Sequence, residues 1–430
     1  MNILLIAPNK LHLYDTVLPI GLAHIAQAAL DAGHNVEMID FLSCPSPLKR
    51  VSKSIYEFKP DIVGISVRNI DNEVFFNSQF LLKPIKELVV LCKKNTVVPI
   101  VLGGAGYSIF PQASLEYIEA DYGISGNGEK IFIEFLKAYE NKQNLTNLSN
   151  FHTKGNNINN PKEHISEYNY SSTILPDPSL FQYCKNKEKV LIPIKTRRGC
   201  PMMCSYCSTP FFEGTKFDMI PPSHIANTLE KYTKAGMNRF FFVDDNFNFP
   251  MNYAVSLCDK IIDKKIQISW SCIASPGKID DTLVKKMAIA GCNEVAIGYE
   301  SGSDIMLKNY NKKFSPKDII KVSKIFKKYN ISQRGFLLIG GPGENEDTIK
   351  ESITLAEKIQ SDFTHVTFGI RIFPHTQLAE QALSESIISP DDNLLFPKFY
   401  MSKYIKKNIS EIAAIIKSSH PEWIFSDDDF

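Results

Sequence analysis

The chain has almost no net charge: 48 Lys and Arg stand against 47 Asp and Glu, a balance of +1 over 430 residues. That excludes the broad positive field by which proteins gather nucleic acid or an anionic membrane surface. Long apolar runs are also missing, and none approaches the ~20 residues of a membrane span. Met1-Asn2 passes directly into the strand-like ILLIAP, without the basic stretch and small-residue cleavage site of a secretory signal. Cysteine is scarce, nine in all and an odd number, and Cys258, Cys272 and Cys292 sit in apolar strand or helix settings. This pattern fits a reducing compartment and not a disulfide framework, so the cytoplasm is the expected location. Neither nucleic acid nor a membrane is an expected partner.

Three of the cysteines crowd into one stretch, RRGCPMMCSYCSTP at 197–210. The spacing of Cys200, Cys204 and Cys207 would put all three on one helical face, as small buried side chains. Pro201 directly after the first cysteine argues against a helix, because it lacks the N–H a helix interior needs. Gly199 and Pro210 reinforce the loop reading. Three thiolates on a loop can converge on zinc or on an iron–sulfur cluster. Zinc sites usually add a second distant pair of ligands, and the chain has no second CxxC and no nearby histidine pair. Clusters normally take four thiolates, so three would leave one iron open.

Residues 1–138 alternate strand and helix signals: ILLIAP (3–8), NVEMID (35–40), DIVGISV (61–67), VPIVLGG (98–104) and DYGISG (121–126), with helical stretches such as GLAHIAQAALDAG between them. Short, continuously apolar strands alternating with helices imply an α/β doubly wound parallel sheet, and five of them suit a flavodoxin-like order. Other absences narrow its ligand. APNKLHLY follows the first strand where a dinucleotide fold would carry GxGxxG, and no Ser/Thr/Gly-rich phosphate loop or aspartate cluster replaces it. The strand ends instead present Arg68 and Asn69, the glycine-rich LGGAGYS with Gly103, Gly104 and Ser108, and GNGE with Gly126 and Glu129.

LPIGLAHIAQAALDAGHNVEMID (18–40), PDIVGISVRNIDN (60–72) and VLGGAGYSIFP followed by GNGEK resemble the cobalamin-binding domain that precedes many radical S-adenosylmethionine (SAM) enzymes. The DxHxxG motif that places a histidine under cobalt in other cobalamin proteins is absent, and neither His12 nor His24 has its setting. The resemblance therefore implies cobalamin held without a protein histidine on the metal, as in members where an arginine faces the lower side. Arg68 matches that position; its structural alternative is to cap the strand mouth or pair with Asp71. Residues 139–188, rich in Asn and Lys, read as a linker.

From 189 to 380 six further strand candidates follow: VLIPIKT, RFFFVDD, QISWSCIAS, EVAIGYES, RGFLLIGG and HVTFGIRI. Six β/α units are too few for the eight-stranded barrel but enough for an open partial one, with the cysteine loop at the mouth of its first strand. CPMMCSYC, with Tyr206 before the third cysteine, matches the radical SAM motif. The family is identified as cobalamin-binding radical SAM, which implies a [4Fe-4S] cluster on Cys200, Cys204 and Cys207, S-adenosylmethionine on the open iron, and cobalamin. It implies SAM contacts from Asp244, Asp245 and Asn246, from Glu300 and Ser301, and from the backbone around Gly340. Each acidic residue has an ordinary alternative as a helix cap or first-turn carboxylate, strongest for Glu344, Glu346 and Asp347. FPHTQL departs from the usual Pro-Gly-Thr, leaving His375 as a local substitution or a substrate contact. Residues 381–430 read as a small helical segment with a solvated tail.

The resemblance implies methyl transfer to an unactivated carbon or phosphorus centre of a small molecule or natural product, with an electron donor such as flavodoxin or ferredoxin. The alternative is non-methylating radical chemistry: cyclisation, ring rearrangement or transfer of another SAM fragment. A non-catalytic sensor is disfavoured by the full set of barrel strands and by the lack of any signalling or DNA-binding module.

Overall fold

A computed structural model describes residues 1–9, 17–155, 175–181 and 190–426. The five apolar runs of the first half form β1 (Asn2–Ala7), β2 (Asn35–Asp40), β3 (Ile62–Ser66), β4 (Ile100–Gly103) and β5 (Tyr122–Ile124). They are parallel neighbours in the order β2-β1-β3-β4-β5, covered by helices on both faces. Ile3 to Ala7 are all buried, the signature of a strand with no solvent face. The strand order reverses between β1 and β3, and ligands of such sheets sit at the carboxyl ends beside that switch.

The stretch read as linker does more than connect. Phe151–Thr153 forms β6, antiparallel to β5, and its Phe151 stacks on Phe135 with ring centroids 5.3 Å apart. His152 Nε2 and Ser125 Oγ lie 2.9 Å apart in a buried hydrogen bond. The apolar signal there was one residue in a polar context, too short to read. Residues 10–16 with His12, and 182–189 with Cys184, lie outside the described residues.

The second sheet runs β17-β14-β13-β12-β11-β10-β7, all parallel. Its members are β7 (Ile192–Ile194), β10 (Arg239–Phe242), β11 (Ser269–Ala274), β12 (Cys292–Glu300), β13 (Ser332–Ile339), β14 (Phe363–Phe368) and β17 (Ile424–Phe425). The first six are the strands expected from sequence, in chain order across an open sheet. Two short antiparallel ladders interrupt the series: β8 (Arg197–Arg198) with β9 (Asp218–Met219), and β15 (Ile370–Arg371) with β16 (Phe399–Tyr400). The segment after 380 carries a long helix, Lys403–Ser419, but its tail departs from the solvated reading: β17 joins the sheet, Trp423 and Phe425 are buried, and Phe425 stacks on Phe368 at 6.2 Å.

The two halves share a core. Val67, Ile70 and Phe110 pack in one cluster with Ile370, Ile372, Leu394 and Leu395. At its centre Arg371 Nε donates to Asp71 Oδ2 at 2.9 Å, and both side chains are almost wholly buried. The remaining guanidinium nitrogens donate to the carbonyls of Ile372 and Leu394 at 2.6 and 2.8 Å. Removing one partner of such a pair leaves the other charge buried and unpaired. Arg371→Gln should therefore lose about 3 kcal/mol of stability, read as a lower urea midpoint. A midpoint unchanged from the parent would show that the pair does not hold the two halves together.

Candidate functional site

The carboxyl ends of β1, β3, β4 and β5 open into a cavity of about 430 Å³. The first half lines it with Arg68, Gly103, Gly104, Ser108, Gly126 and Glu129. The second half contributes Lys195, Arg198, Glu213 and Asp245. Its depth, between Leu5, Ile65, Val101 and Phe132, is apolar. Backbone geometry explains the glycines. Gly104 has φ +106°, and a Cβ there would stand 2.6 Å from the Val67 carbonyl oxygen. Ser108 ties the two glycine turns together: its Oγ donates to the Gly104 carbonyl at 2.8 Å and accepts from Gly126 N–H at 2.9 Å. Arg68 keeps an exposed side chain with no ion pair among the described residues, since Asp71 is taken by Arg371. Asn69 is not part of the cavity wall; it packs beside Gly106 instead. His24, which sequence reasoning set aside, lines the cavity from the first helix, and burial pulls its pKa down to about 4, so it is neutral near pH 7.

Glu129 was expected to touch a cofactor, but its carboxylate is already engaged across the two halves. Arg198 Nη1 donates to Glu129 Oε2 at 3.1 Å, and Arg198 Nη2 pairs with Oε1. Burial alone would raise this carboxyl; the adjacent guanidinium overrides it and holds the pKa at about 2. Arg198 lies two residues before Cys200, so this pair fixes the root of the cysteine loop against the cavity.

The loop itself is closed by the β8–β9 ladder. Gly199, at φ +84°, must be glycine because a Cβ would stand 2.0 Å from the Lys216 carbonyl oxygen. Cys200 N–H donates to Gly214 O at 2.9 Å, and Cys207 N–H to Cys204 O at 3.2 Å. The three thiols lie within electrostatic reach of one another. Burial pushes the Cys200 thiol up to about 12, with Asp245, Cys207 and Cys204 adding to the rise. Among the described residues no three His, Cys, Asp or Glu side chains gather around a single-ion position. Three thiols on a shared loop are the set that leaves one iron of a four-iron cluster open. Asn246 Nδ2 reaches towards Cys200 Sγ at 3.9 Å. Asp245 is half-buried at the cavity wall, and burial with the charge of Glu213 raises its pKa to about 7.

Four of the expected contact residues have partners within the protein. Asp244 has no exposed surface; its Oδ1 accepts from Thr196 N–H at 2.8 Å and its Oδ2 from Thr196 Oγ1 at 2.6 Å, anchoring the chain that leads to the loop. Ser301 is also fully buried, its Oγ 2.7 Å from Ser352 Oγ and accepting from Ser303 N–H at 3.1 Å. Gly340, at φ +129°, packs on Gly369, and its N–H donates to Glu344 Oε2. Glu300, at φ +59° on a register shift of β12, pairs with Lys312 at 3.0 Å. The same Lys312 lies over the Tyr206 ring at 5.3 Å, and Tyr206 meets Tyr310 edge-on at 5.6 Å.

Glu344 is no helix cap either. It is buried, it binds the Gly340 and Gly341 amides, and burial raises its carboxyl to about 7. Asn345 caps the following helix, and Glu346 pairs with Lys350 in the ordinary first-turn manner. His375 adopts φ +61°, the region glycine favours, and stacks on Phe211 at 4.1 Å, which accounts for both the departure and its compensation.

Comparison with known proteins agrees with this geometry. Residues 194–356 match the family model described as the radical SAM superfamily, and residues 9–136 match the B12 binding domain. An uncharacterized methyltransferase of Pyrococcus horikoshii is 25% identical over 399 residues, covering 90% of this chain and 84% of that protein. The tryptophan 2-C-methyltransferase of Streptomyces laurentii is 20% identical, over 88% of this chain and 74% of its own. The fold superposes on the radical SAM methyltransferase TsrM from Kitasatospora setae, solved with tryptophan and a SAM analogue. The TM-score is 0.84 at 19% identity, covering 98% of this chain and 90% of the other.

The Glu129 pKa, lowered from 4.5 to about 2, makes a linkage prediction. A depressed carboxyl stabilises the fold above its unfolded pKa, and that stability is lost as pH falls through the folded value. Between about pH 4.5 and pH 2 the parent should lose about 3 kcal/mol that Glu129→Gln, already lacking the charge, does not lose. Urea midpoints across that range test it; parallel acid limbs for the two proteins would contradict the assignment.

Proposed function

For a chain that belongs to the B12-binding radical SAM family, we propose the activity of a cobalamin-dependent methyltransferase acting on an unactivated carbon or phosphorus centre of a small molecule. One observation carries the reading most: the cavity at the end of the first sheet is also walled by Lys195 and Arg198, on the segment that leads into the cysteine loop, and by Asp245, after the neighbouring strand β10. A corrin platform and a cluster loop that share one wall suit the handing of a one-carbon group between two cofactors. The methyltransferase names of the relatives in Pyrococcus horikoshii and Streptomyces laurentii support the same reaction class.

In this reading Cys200, Cys204 and Cys207 hold the [4Fe-4S] cluster, and Asn246 donates towards Cys200. Asp245 and Asn246 are the polar groups nearest the loop for SAM, while Arg68, Gly103, Gly104, Ser108 and Gly126 form the cradle for cobalamin. When bound, these groups supply a single electron, a methyl donor and a cobalt carrier of the methyl group; the protein supplies position and exclusion of water. Tyr206, Lys312 and Glu300 close one side of the cysteine loop as a packed ion pair and ring. His24 stays neutral in the cavity wall and Glu129 stays ionised against Arg198. The first platform extends to about Thr153, where β6 ends, and the barrel starts with β7. Among the described residues no helix is long and apolar enough to cross a membrane, and eight cysteines are unpaired, which supports a cytoplasmic setting.

Two measurements test the reading. Replacing Cys200, Cys204 and Cys207 together by Ala should abolish iron binding and the visible cluster absorbance while cobalamin binding persists; full iron retention would refute the ligand assignment. Anaerobically reconstituted protein given reductant, cobalamin and methyl-deuterated SAM should form S-adenosylhomocysteine as the label leaves SAM. Formation of 5′-deoxyadenosine with no movement of the label would instead establish non-methylating radical chemistry.

A further inference from the structure

A cluster on the three cysteines would take its electron from outside the chain, and one face of the barrel beside the loop is rich in exposed lysine. Between Asp304 and Lys328 the sequence has eight lysines and two aspartates, in a protein whose total balance is +1. Asp318 closes the capping box of the helix Pro316–Lys328 with Ser315, and Lys312 is drawn inward to Glu300. The helix buries Ile319, Val322 and Phe326 against the barrel. Its outer side carries exposed Lys317, Lys321, Lys324 and Lys328, spaced i, i+4, i+7 and i+11, which is a single stripe. Lys328 is paired with Asp281 at 2.5 Å, whereas Lys317, Lys321 and Lys324 form no ion pair among the described residues. The barrel helix Glu346–Ile359 differs: Lys350 and Lys358 are interleaved with Glu346, Asp347, Glu351 and Glu357.

The stripe begins at the cysteine loop. Lys313 Nζ donates to Asn311 Oδ1 at 2.6 Å, and Asn311 Nδ2 donates to the Met203 carbonyl at 2.6 Å. Ser205 N–H donates to Tyr310 O at 3.1 Å, so residues 310–313 are strapped along the outer edge of the loop. Met203, directly before Cys204, is 46% exposed at φ +51°, an apolar side chain standing out beside the lysines. A positive stripe ending at an exposed apolar contact, one residue from a cluster ligand, is the complement of an acidic protein surface around a redox centre.

We propose that Met203 with Lys313, Lys317, Lys321 and Lys324 forms the docking face for an acidic one-electron carrier protein. The carrier is oxidised by one electron and the cluster on Cys200, Cys204 and Cys207 is reduced by one; no bond forms and no proton moves. This rests on the reading of those cysteines as cluster ligands. Nucleic acid is the competing polyanion, and it would have no reason to meet the cysteine loop.

The test uses the full chain, reconstituted with its cluster, as the parent and as the Lys317→Glu/Lys321→Glu/Lys324→Glu variant. The oxidised cluster's absorbance is recorded first: its absence from the parent overturns the ligand assignment and this inference together. Its bleaching is then timed with reduced flavodoxin, with reduced ferredoxin, and with photoreduced deazaflavin as a small reductant. The expected result is at least a tenfold slower second-order rate in the variant with one or both carriers, a parent rate that falls with added salt, and no change with deazaflavin. Calorimetry with the cluster-free parent should show oxidised carrier binding that the variant lacks. Equal rates for parent and variant with both carriers would overturn the inference. So would an equal slowing with deazaflavin, or a loss confined to binding of a DNA duplex.

Discussion

Arg198 and Glu129 meet where the two halves of the molecule touch, and the arrangement of the site depends on that pair. Arg198 leaves β8 two residues before the first cysteine, and Glu129 sits in the first turn of the helix after β5. A carboxylate in the first turn is already favoured by the helix dipole. Burial would cost it that advantage, but the guanidinium forks onto both oxygens and restores the charge. Because Glu129 is buried and Arg198 largely so, the carboxylate has little access to water if the halves shift. The cysteine loop is thereby held in register with the glycine turns that form the opposite wall of the cavity. Arg371 and Asp71 do the same further along the shared core, and Arg68 lies on the stretch that Asp71 anchors.

Much of this architecture was legible because its signals are local. Short continuous apolar runs such as Ile3 to Ala7, alternating with helical stretches, suit covered parallel strands. The loop reading of Cys200 to Cys207 follows from Pro201, Pro210 and Gly199, and the close approach of the Lys216 carbonyl requires the glycine. What was not legible is pairing across distance. Asp71 and Arg371 are 300 positions apart and carry no spacing rule that would announce them. β6 and β17 are short strands at the edges of their sheets, contributing one or two buried rings each, too little for a periodic signal.

Three of the residues expected at the site share one feature. Asp244, Ser301 and Gly340 occupy motif positions at strand ends, yet their polar groups are turned inward to Thr196, Ser352 and Glu344. A sequence position identifies which loop a residue belongs to; it does not say whether the side chain faces the ligand or supports the neighbour that does. His375 shows the converse. Its positive φ is imposed by the turn, and a side chain is tolerated because Phe211 stacks against it at 4.1 Å. The backbone requirement persists even though the expected glycine is gone.

The charges around the cavity sort into fixed and movable. Glu129 at about 2 and His24 at about 4 keep their states across the neutral range, one ionised and the other uncharged, so that wall presents a constant field. Asp245 differs, because burial and the neighbouring Glu213 bring its pKa to about 7, at the junction between cavity and cysteine loop. A cationic group placed against it would draw that proton off, since an opposite charge favours the ionised carboxylate. At the cavity wall the readily displaced proton thus sits on Asp245, beside the cysteine loop, while Glu129 and His24 hold a fixed charge state across the neutral range.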